Sequence, residues 1–114
     1  MVAPAIGQIV LVPFPFSNLA GAKLRPAVVL ADAGRDDWVL CQVTSNPYSD
    51  PHAIQLVETS FRSGSLQVTS YARPGKLFTA NSSLMVPQVG HFKMERVRDI
   101  VEAVVSLLRA GIKA

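Results

Sequence analysis

The sequence predicts a mainly β (α+β) protein, built as a small barrel or a strongly curved sheet with one α-helix near the C-terminus. Two observations predict the sheet. Short runs of β-branched and apolar residues follow one another from residue 6 to residue 80, and turn-forming residues close each run. A third observation predicts the helix, because the spacing of apolar residues near the C-terminus changes to three and four.

The predicted strands are short and evenly spaced. They cover residues 6–13, 26–32, 38–45, 52–57, 65–73 and 76–80. A long connection at 14–25 contains proline and glycine, which discourage regular structure. Turns are predicted at 34–37, at 46–51 and at the Pro74-Gly75 pair. This order of elements favours antiparallel neighbours in one curved sheet.

The predicted helix runs from Met94 to Leu108 and carries an apolar stripe on one side. The stripe consists of Val97, Ile100, Val101, Val104, Val105 and Leu108. Gly111 follows as a candidate C-cap, and Arg109 lies near the negative end of the helix dipole. We interpret the stripe as the surface that packs against the sheet.

Length and composition indicate one folded domain over residues 1–114. Of the 114 residues, 49% are apolar and 17% are charged, which is typical of a globular chain. The single cysteine, Cys41, lies in an apolar strand pattern and is predicted to be a buried thiol. The first residues lack the pattern of a signal peptide, and no apolar run approaches the roughly 20 residues that cross a bilayer. We therefore expect a cytoplasmic protein that does not enter a membrane.

The sequence lacks the common motifs for cofactor and metal chemistry. It has no phosphate-binding glycine loop with its lysine and no GxSxG. The one cysteine and the separated His52 and His91 do not form a zinc motif. The Asp36-Asp37 pair lies in a predicted turn, where solvated carboxylates are expected. We expect no cofactor, and an enzyme with this sequence would work without a metal.

Cations, hydroxyls and amides remain at the predicted strand ends. They are Lys23, Arg25, Thr44, Ser45, Asn46, Arg73 and Lys76. In a small barrel such strand ends can meet at one groove, and cations beside an aromatic such as Tyr71 suit a single-stranded nucleic acid. The net charge of +3 allows a polyanionic partner. Taken one at a time, each residue is more simply explained as a solvated charge or as part of a turn. Pattern alone therefore indicates only a small basic β-barrel that could bind nucleic acid.

Several segments of the sequence resemble the MazF/PemK-type toxins of bacterial type II toxin–antitoxin systems. The resemblance begins with GQIVLVPFPFSNLAGAKLRPAVVL at residues 7–30 and continues through CQVTSNP at 41–47. It extends through SYARPGKLFTANSSLM at 70–85 and VGHF at 89–92. It therefore covers roughly residues 7–108, and its first segment is the most specific.

The resemblance implies a fold, an activity and partners. The fold is an SH3-like barrel with a C-terminal helix, usually in a homodimer. The activity is metal-independent, sequence-specific cleavage of single-stranded mRNA, in which the 2′-hydroxyl attacks the phosphorus and leaves a 2′,3′-cyclic phosphate. An acidic and apolar C-terminal segment of the cognate antitoxin would block the RNA groove. The toxin–antitoxin complex would also contact operator DNA.

The resemblance assigns roles to individual residues. The catalytic arginine falls on Arg25, and the catalytic hydroxyl falls on Thr44 with Ser45 beside it. The implied substrate contacts are Phe16, Ser17, Asn18, Lys23, Asn46, Arg73 and Lys76. Some relatives carry an aspartate that takes part in acid–base chemistry where this chain has Gly75. The identity of the general base therefore stays open.

Two other functions remain as alternatives at this point. One is a non-catalytic barrel that binds nucleic acid, because Gly75 removes one version of the active site. The other is a gyrase-targeting toxin of the CcdB type, which shares the barrel but binds a protein through an aromatic near its C-terminus. Here the only tryptophan is Trp38, inside a predicted strand, and the chain ends in LLRAGIKA. The sequence thus favours the ribonuclease.

Overall fold

The computed structural model describes residues 4–13 and 23–112, without the side chains of residues 87–89. Within these residues, one sheet of seven strands is followed by one α-helix. The strands are β1 (Gln8–Pro13), β2 (Leu24–Gly34), β3 (Asp37–Thr44), β4 (Ile54–Leu56), β5 (Phe61–Gly64), β6 (Ser70–Asn81) and β7 (Val86–Phe92). The helix, α1, covers Met94–Ala110.

The sheet has the order β4-β6-β3-β2-β1-β7-β5, and every neighbouring pair is antiparallel. Shifts of register interrupt four of these pairings, between β1 and β7, β2 and β3, β3 and β6, and β5 and β7. Such irregularities bend strands and increase their twist. The sheet curls into a half-barrel, which confirms the predicted mainly β fold with a curved antiparallel sheet and a C-terminal helix.

One face of the sheet, which we call the helix face, packs against α1. Successive strand residues point to opposite faces, so Ile9, Val28 and Cys41 share this side, where each is fully buried. Val97 and Ile100 of α1 join the same cluster. The apolar stripe predicted from helical spacing is thus the packing surface, as expected. Its C-terminal part is less covered, and Leu108 is exposed.

The opposite face of the sheet, which we call the far face, has a second apolar cluster. The buried residues of this cluster are Val10, Val12, Ala27, Val29, Leu40 and Met85. Trp38, Phe78 and Ala80 pack against it and are half-buried. Because both faces of the central strands are covered, these strands consist of nearly continuous apolar runs.

The prediction of a turn at Pro74-Gly75 is wrong, because both residues lie inside strand β6. Cys41 pairs with Leu77 and Val43 pairs with Ala72, so residues 73–76 form a bulge opposite one residue of β3. A bulge leaves backbone groups unpaired, and a proline without an N–H is therefore tolerated there. Pro74 is fully buried, and a Cβ on Gly75 would lie 3.9 Å from Leu107 of α1.

Two strands of the sheet were not predicted from the sequence. Strand β5 is only four residues long, and β7 contains proline and glycine, which weaken a strand pattern. The strand predicted at 65–73 begins later, at Ser70, because the preceding residues are irregular. The C-cap prediction at Gly111 is confirmed, although its φ of −71° does not require glycine.

Candidate functional site

Arg25 and Thr44 lie on the far face, at the ends of adjacent strands. Arg25 shares its face with Ala27 and Val29, since side chains alternate along β2. On β3, Leu40 faces the same side, and alternation places Thr44 there as well. The ladder between these strands ends at the pair Ala27–Gln42, and Arg25 and Thr44 are the next residues on that face. Adjacent strands are about 4.8 Å apart, so the two side chains are neighbours.

A row of polar residues crosses the sheet at this level. Arg25 pairs with Val12 of β1, while Thr44 pairs with Tyr71 of β6. Tyr71 in turn pairs with Gln55 of the edge strand β4. The row thus presents a guanidinium, two hydroxyls and an amide along one line. Arg25 is exposed, whereas Thr44 and Tyr71 are half-buried.

Local hydrogen bonds fix the loop that follows Thr44. The Asn46 N–H donates to Thr44 Oγ1 at 3.1 Å, and the Tyr48 N–H donates to Asn46 Oδ1 at 2.9 Å. Asp50 then accepts the His52 N–H at 2.9 Å through Oδ1. Asparagine and aspartate favour such turns because their short side chains can replace backbone acceptors. Thr44 Oγ1 therefore accepts a hydrogen bond from the loop. The hydrogen of its hydroxyl group is not used in this bond and can be donated to another group.

A half-buried ion pair supports this loop from strand β6. Arg73 Nε donates to Asp50 Oδ2 at 3.0 Å, and Arg73 Nη1 lies 3.5 Å from Gln42 Oε1. The side chains of Arg73 and Asp50 are 17% and 12% exposed, so the pair is largely shielded from water. The Arg73 guanidinium carbon also lies 5.2 Å from the ring centroid of Tyr48. One arginine thus joins β3, β6 and the loop.

The environment of Asp50 keeps its carboxylate charged. The N–H of His52 and the side chain of Arg73 both donate to it, and these hydrogen bonds lower its pKa below the ordinary value of 3.8. Its partial burial opposes this shift but does not cancel it. At neutral pH Asp50 is therefore ionised and a weak base.

Cys41 lies on the helix face of β3, on the side of the sheet opposite Arg25 and Thr44, and its thiol is fully buried. Its thiol donates to the carbonyl oxygen of Arg73 at 3.2 Å. Burial raises the pKa of Cys41 to about 12, although a backbone hydrogen bond with Arg73 opposes the shift. The prediction of a buried thiol is confirmed, and Cys41 is not a nucleophile near neutral pH.

The other residues predicted for the site are distributed around Arg25 and Thr44. Lys23 is exposed just before β2, while Ser45 and Asn46 are exposed directly after β3. Lys76 is half-buried at the C-terminal end of the bulge in β6. Phe16, Ser17 and Asn18 lie outside the described residues.

The described part of the chain contains no group of three His, Cys, Asp or Glu side chains that could hold a metal ion. Over the same residues, no helix is long and apolar enough to cross a membrane.

Sequence reasoning missed three residues near the site: Gln42, Tyr48 and Asp50. The segment NPYSDP at 46–51 was correctly predicted to be a turn, and an aromatic residue in such a polar turn is the signal that could have drawn attention to Tyr48. No local signal connects Asp50 with Arg73, because their contact depends on the register of β6 and on its bulge.

A guanidinium beside a threonine hydroxyl suits a phosphate, because the first supplies charge and paired donors and the second a single donor. Comparison with known proteins bears on this chemistry. Residues 5–108 match the model of a protein family described as the PemK-like, MazF-like toxins of type II toxin–antitoxin systems. The chain belongs to this family of toxins.

Solved structures agree with this assignment at the level of the fold. MazF from Deinococcus radiodurans matches with a TM-score of 0.72 and 21% identity, over 95% of this toxin and 98% of that chain. The same organism's MazE-MazF complex matches with a TM-score of 0.72 and 20% identity, over 95% and 97%. An endoribonuclease bound to its cognate antitoxin, from a mycobacterial species, matches with a TM-score of 0.68 and 16% identity, over 95% of each chain. No curated protein sequence matches the toxin.

Proposed function

We propose that this toxin is a metal-independent endoribonuclease that cleaves single-stranded mRNA at specific sequences. The observation that carries the proposal is the position of Arg25 and Thr44 as neighbours on the far face. Membership of the toxin family supports it, and so does the endoribonuclease of similar fold from a mycobacterial species.

The reaction needs few groups from the protein, because RNA contains its own nucleophile. The 2′-hydroxyl oxygen bonds to the adjacent phosphorus while the bond from phosphorus to the 5′-oxygen breaks. The 2′-hydroxyl loses its proton and the 5′-oxygen gains one, so the products are a 2′,3′-cyclic phosphate and a 5′-hydroxyl. Negative charge grows on the phosphoryl oxygens during this step, and a correctly placed cation stabilises it.

Arg25 is the proposed source of that stabilisation. Its planar guanidinium can bind two phosphoryl oxygens at once. Pro26 follows it, which favours an extended backbone at Arg25, and Arg25 pairs with Val12 in the sheet. The guanidinium is therefore carried by a rigid strand, as preorganised stabilisation requires.

Thr44 is the proposed second contact to the reacting phosphate or the 2′-hydroxyl. Because its oxygen already accepts the Asn46 N–H, its hydroxyl hydrogen is available to donate. Ser45 and Asn46 follow directly and are exposed, so they can contact the same nucleotide. The other proposed substrate contacts are Phe16, Ser17, Asn18, Lys23, Arg73 and Lys76.

Proton transfer contributes little in this proposal. Asp50 is held ionised by its two donors and is a weak base. Gly75 offers no carboxylate where some relatives have one. Arginine stays protonated near neutral pH and cannot act as the base. We therefore expect modest turnover, driven mainly by orientation and charge.

The proposed partners follow from the same surface. A cognate antitoxin would bind through an acidic and apolar segment that occupies the RNA site, as charge complementarity with Lys23 and Arg25 requires. The mycobacterial endoribonuclease bound to its antitoxin supports such a partner. We further propose a homodimer, and contact of the toxin–antitoxin complex with operator DNA.

Two variants test the role of Arg25. Arg25→Lys keeps the charge but loses the paired donors, so single-turnover cleavage of RNA should slow by about 10³ with affinity little changed. Lys23→Ala is the matched control, because Lys23 is an exposed cation outside the strand. It should weaken RNA binding and reduce the salt dependence by about one unit of slope, with a smaller effect on the rate.

The comparison distinguishes catalysis from simple charge attraction. If Arg25→Lys cleaves RNA as fast as the unmodified toxin, Arg25 is only another phosphate-binding charge. The catalytic group would then have to lie elsewhere on the toxin.

A further inference from the structure

Tyr48 is an exposed aromatic residue at the edge of the candidate site. It lies four residues after Thr44, and 61% of its surface is accessible. Large aromatic side chains normally bury most of their surface, so such exposure beside the Arg73 guanidinium calls for a function.

The ring of Tyr48 is held on one side by a cation. The Arg73 guanidinium carbon lies 5.2 Å from its centroid, within the range of a cation–π interaction. Arg73 is itself fixed by Asp50 at 3.0 Å, and this pair is largely buried. The Arg73 guanidinium therefore lies against one side of the Tyr48 ring. The high exposure of Tyr48 leaves other ring surface accessible to another planar group.

The backbone under Tyr48 is also fixed in an unusual conformation. Tyr48 and Ser49 have φ angles of 54° and 58°, in the left-handed region that bulky residues rarely adopt. The Tyr48 N–H donates to Asn46 Oδ1, and the Asp50 N–H donates to the carbonyl of Pro47 at 2.9 Å. The left-handed backbone at Tyr48 and Ser49 costs free energy, and the hydrogen bonds of the loop hold Tyr48 in this conformation.

We propose that Tyr48 is a base-stacking residue that binds a nucleobase of the RNA next to the cleaved phosphate. The inference rests on the proposed ribonuclease function and names one source of its substrate selectivity. Arg73 and Asp50 are positioning residues for the ring. Stacking on one aromatic face tolerates every base, but it requires an unpaired one, so Tyr48 would select single-stranded RNA.

Three forms of the toxin and one series of RNAs test this proposal. The RNA is a single-stranded sequence that the toxin cleaves, made uncleavable by a 2′-deoxy nucleotide at the cut. Each further RNA of the series lacks the base at one position near the cut. Tyr48→Leu keeps an apolar side chain but removes the ring, whereas Tyr48→Phe keeps the ring and is the matched control.

Tyr48→Leu should bind the complete RNA at least about fivefold more weakly than the unmodified toxin, as expected when one stacked base is lost. Tyr48→Phe should bind within about twofold. The deficit of Tyr48→Leu should disappear for the RNA that lacks the stacked base, because that RNA cannot use the ring. Thermal unfolding of Tyr48→Leu should change little, since the side chain is exposed.

Two results would overturn the assignment while leaving the ribonuclease intact. Tyr48→Leu could bind the complete RNA as tightly as the unmodified toxin. Alternatively its deficit could be equal for every RNA of the series, which would mean that Tyr48 acts through the loop and not on a base. If the unmodified toxin neither binds nor cleaves single-stranded RNA, the proposed function fails and the Tyr48 assignment fails with it.

Discussion

At the scale of single residues, two ion pairs with the same chemistry have very different surroundings. Arg73 and Asp50 are 17% and 12% exposed, and their pair connects strand β6 with the loop after Thr44. Arg96 and Asp99 are 36% and 55% exposed and lie three residues apart on α1. An exposed pair is screened by water and contributes little, whereas removing one partner of a shielded pair leaves a charge without compensation.

We predict that Asp50→Ala lowers the free energy of unfolding by about 1.5–3 kcal/mol at pH 7, because two hydrogen bonds to a charged group are lost. Asp99→Ala is the matched control and should cost at most about 0.5 kcal/mol. Urea unfolding of the three proteins measures both changes. Equal effects of the two substitutions would mean that the Asp50 pair contributes no more than a surface pair.

The same pair sets a pH dependence of stability. The pKa of Asp50 is lower in the folded toxin than its ordinary value of 3.8, so the folded state favours the ionised form. The stabilisation is fully present above pH 3.8 and is lost as the pH falls through the lower folded pKa. The advantage of the unmodified toxin over Asp50→Ala should therefore be constant from pH 5 to pH 8 and shrink below about pH 3.8.

At the scale of elements, the strands differ in how closely they approach their neighbours. A Cβ on Gly90 of β7 would collide with the Ser63 carbonyl oxygen and lie 2.9 Å from the Gly64 Cα on β5. The φ of Gly90 is also +154°, a conformation that other residues rarely adopt. Gly75 in the bulge of β6 has only an ordinary contact of 3.9 Å with Leu107. The pairing of β5 with β7 thus requires glycine, and the bulge does not.

Gly90→Ala should lower the free energy of unfolding by at least about 2 kcal/mol, since it adds both strain and a collision with backbone. Gly75→Ala is the matched control and should stay within about 0.5 kcal/mol of the unmodified toxin. Thermal or urea unfolding measures the difference. A stable Gly90→Ala protein would mean that β5 can move away from β7 at little cost.

The elements also explain which parts of the fold could be predicted from the sequence. Strands β1, β2 and β3 and helix α1 have strong apolar patterns, and each was predicted to within a few residues. The bulge at Pro74-Gly75 was mistaken for a turn, because the same residues suit both and only the pairing with β3 distinguishes them. For the site, alternation along strands is enough to put Arg25 and Thr44 on one face once their strands are adjacent. The contact between Arg73 and Asp50 depends on the bulge and had no local signal.

At the scale of the whole molecule, the two faces of the sheet differ: the helix face packs against α1, and the far face carries the candidate site. Helix α1 covers the helix face through Val97 and Ile100. The far face combines a buried apolar cluster with Arg25 and Thr44 at its edge. In our account this edge is where RNA binds and is cut, and the net charge of +3 assists the approach of a polyanion.

The measurement that tests this account most directly is incubation of the purified toxin with labelled single-stranded RNA in excess EDTA, followed by analysis of the product ends. The account predicts cleavage that leaves 2′,3′-cyclic phosphates and 5′-hydroxyls. DNA of the same sequence should survive, because it lacks the attacking 2′-hydroxyl. Cleavage that vanishes in EDTA and returns with magnesium, or DNA that is cut as fast as RNA, would contradict it.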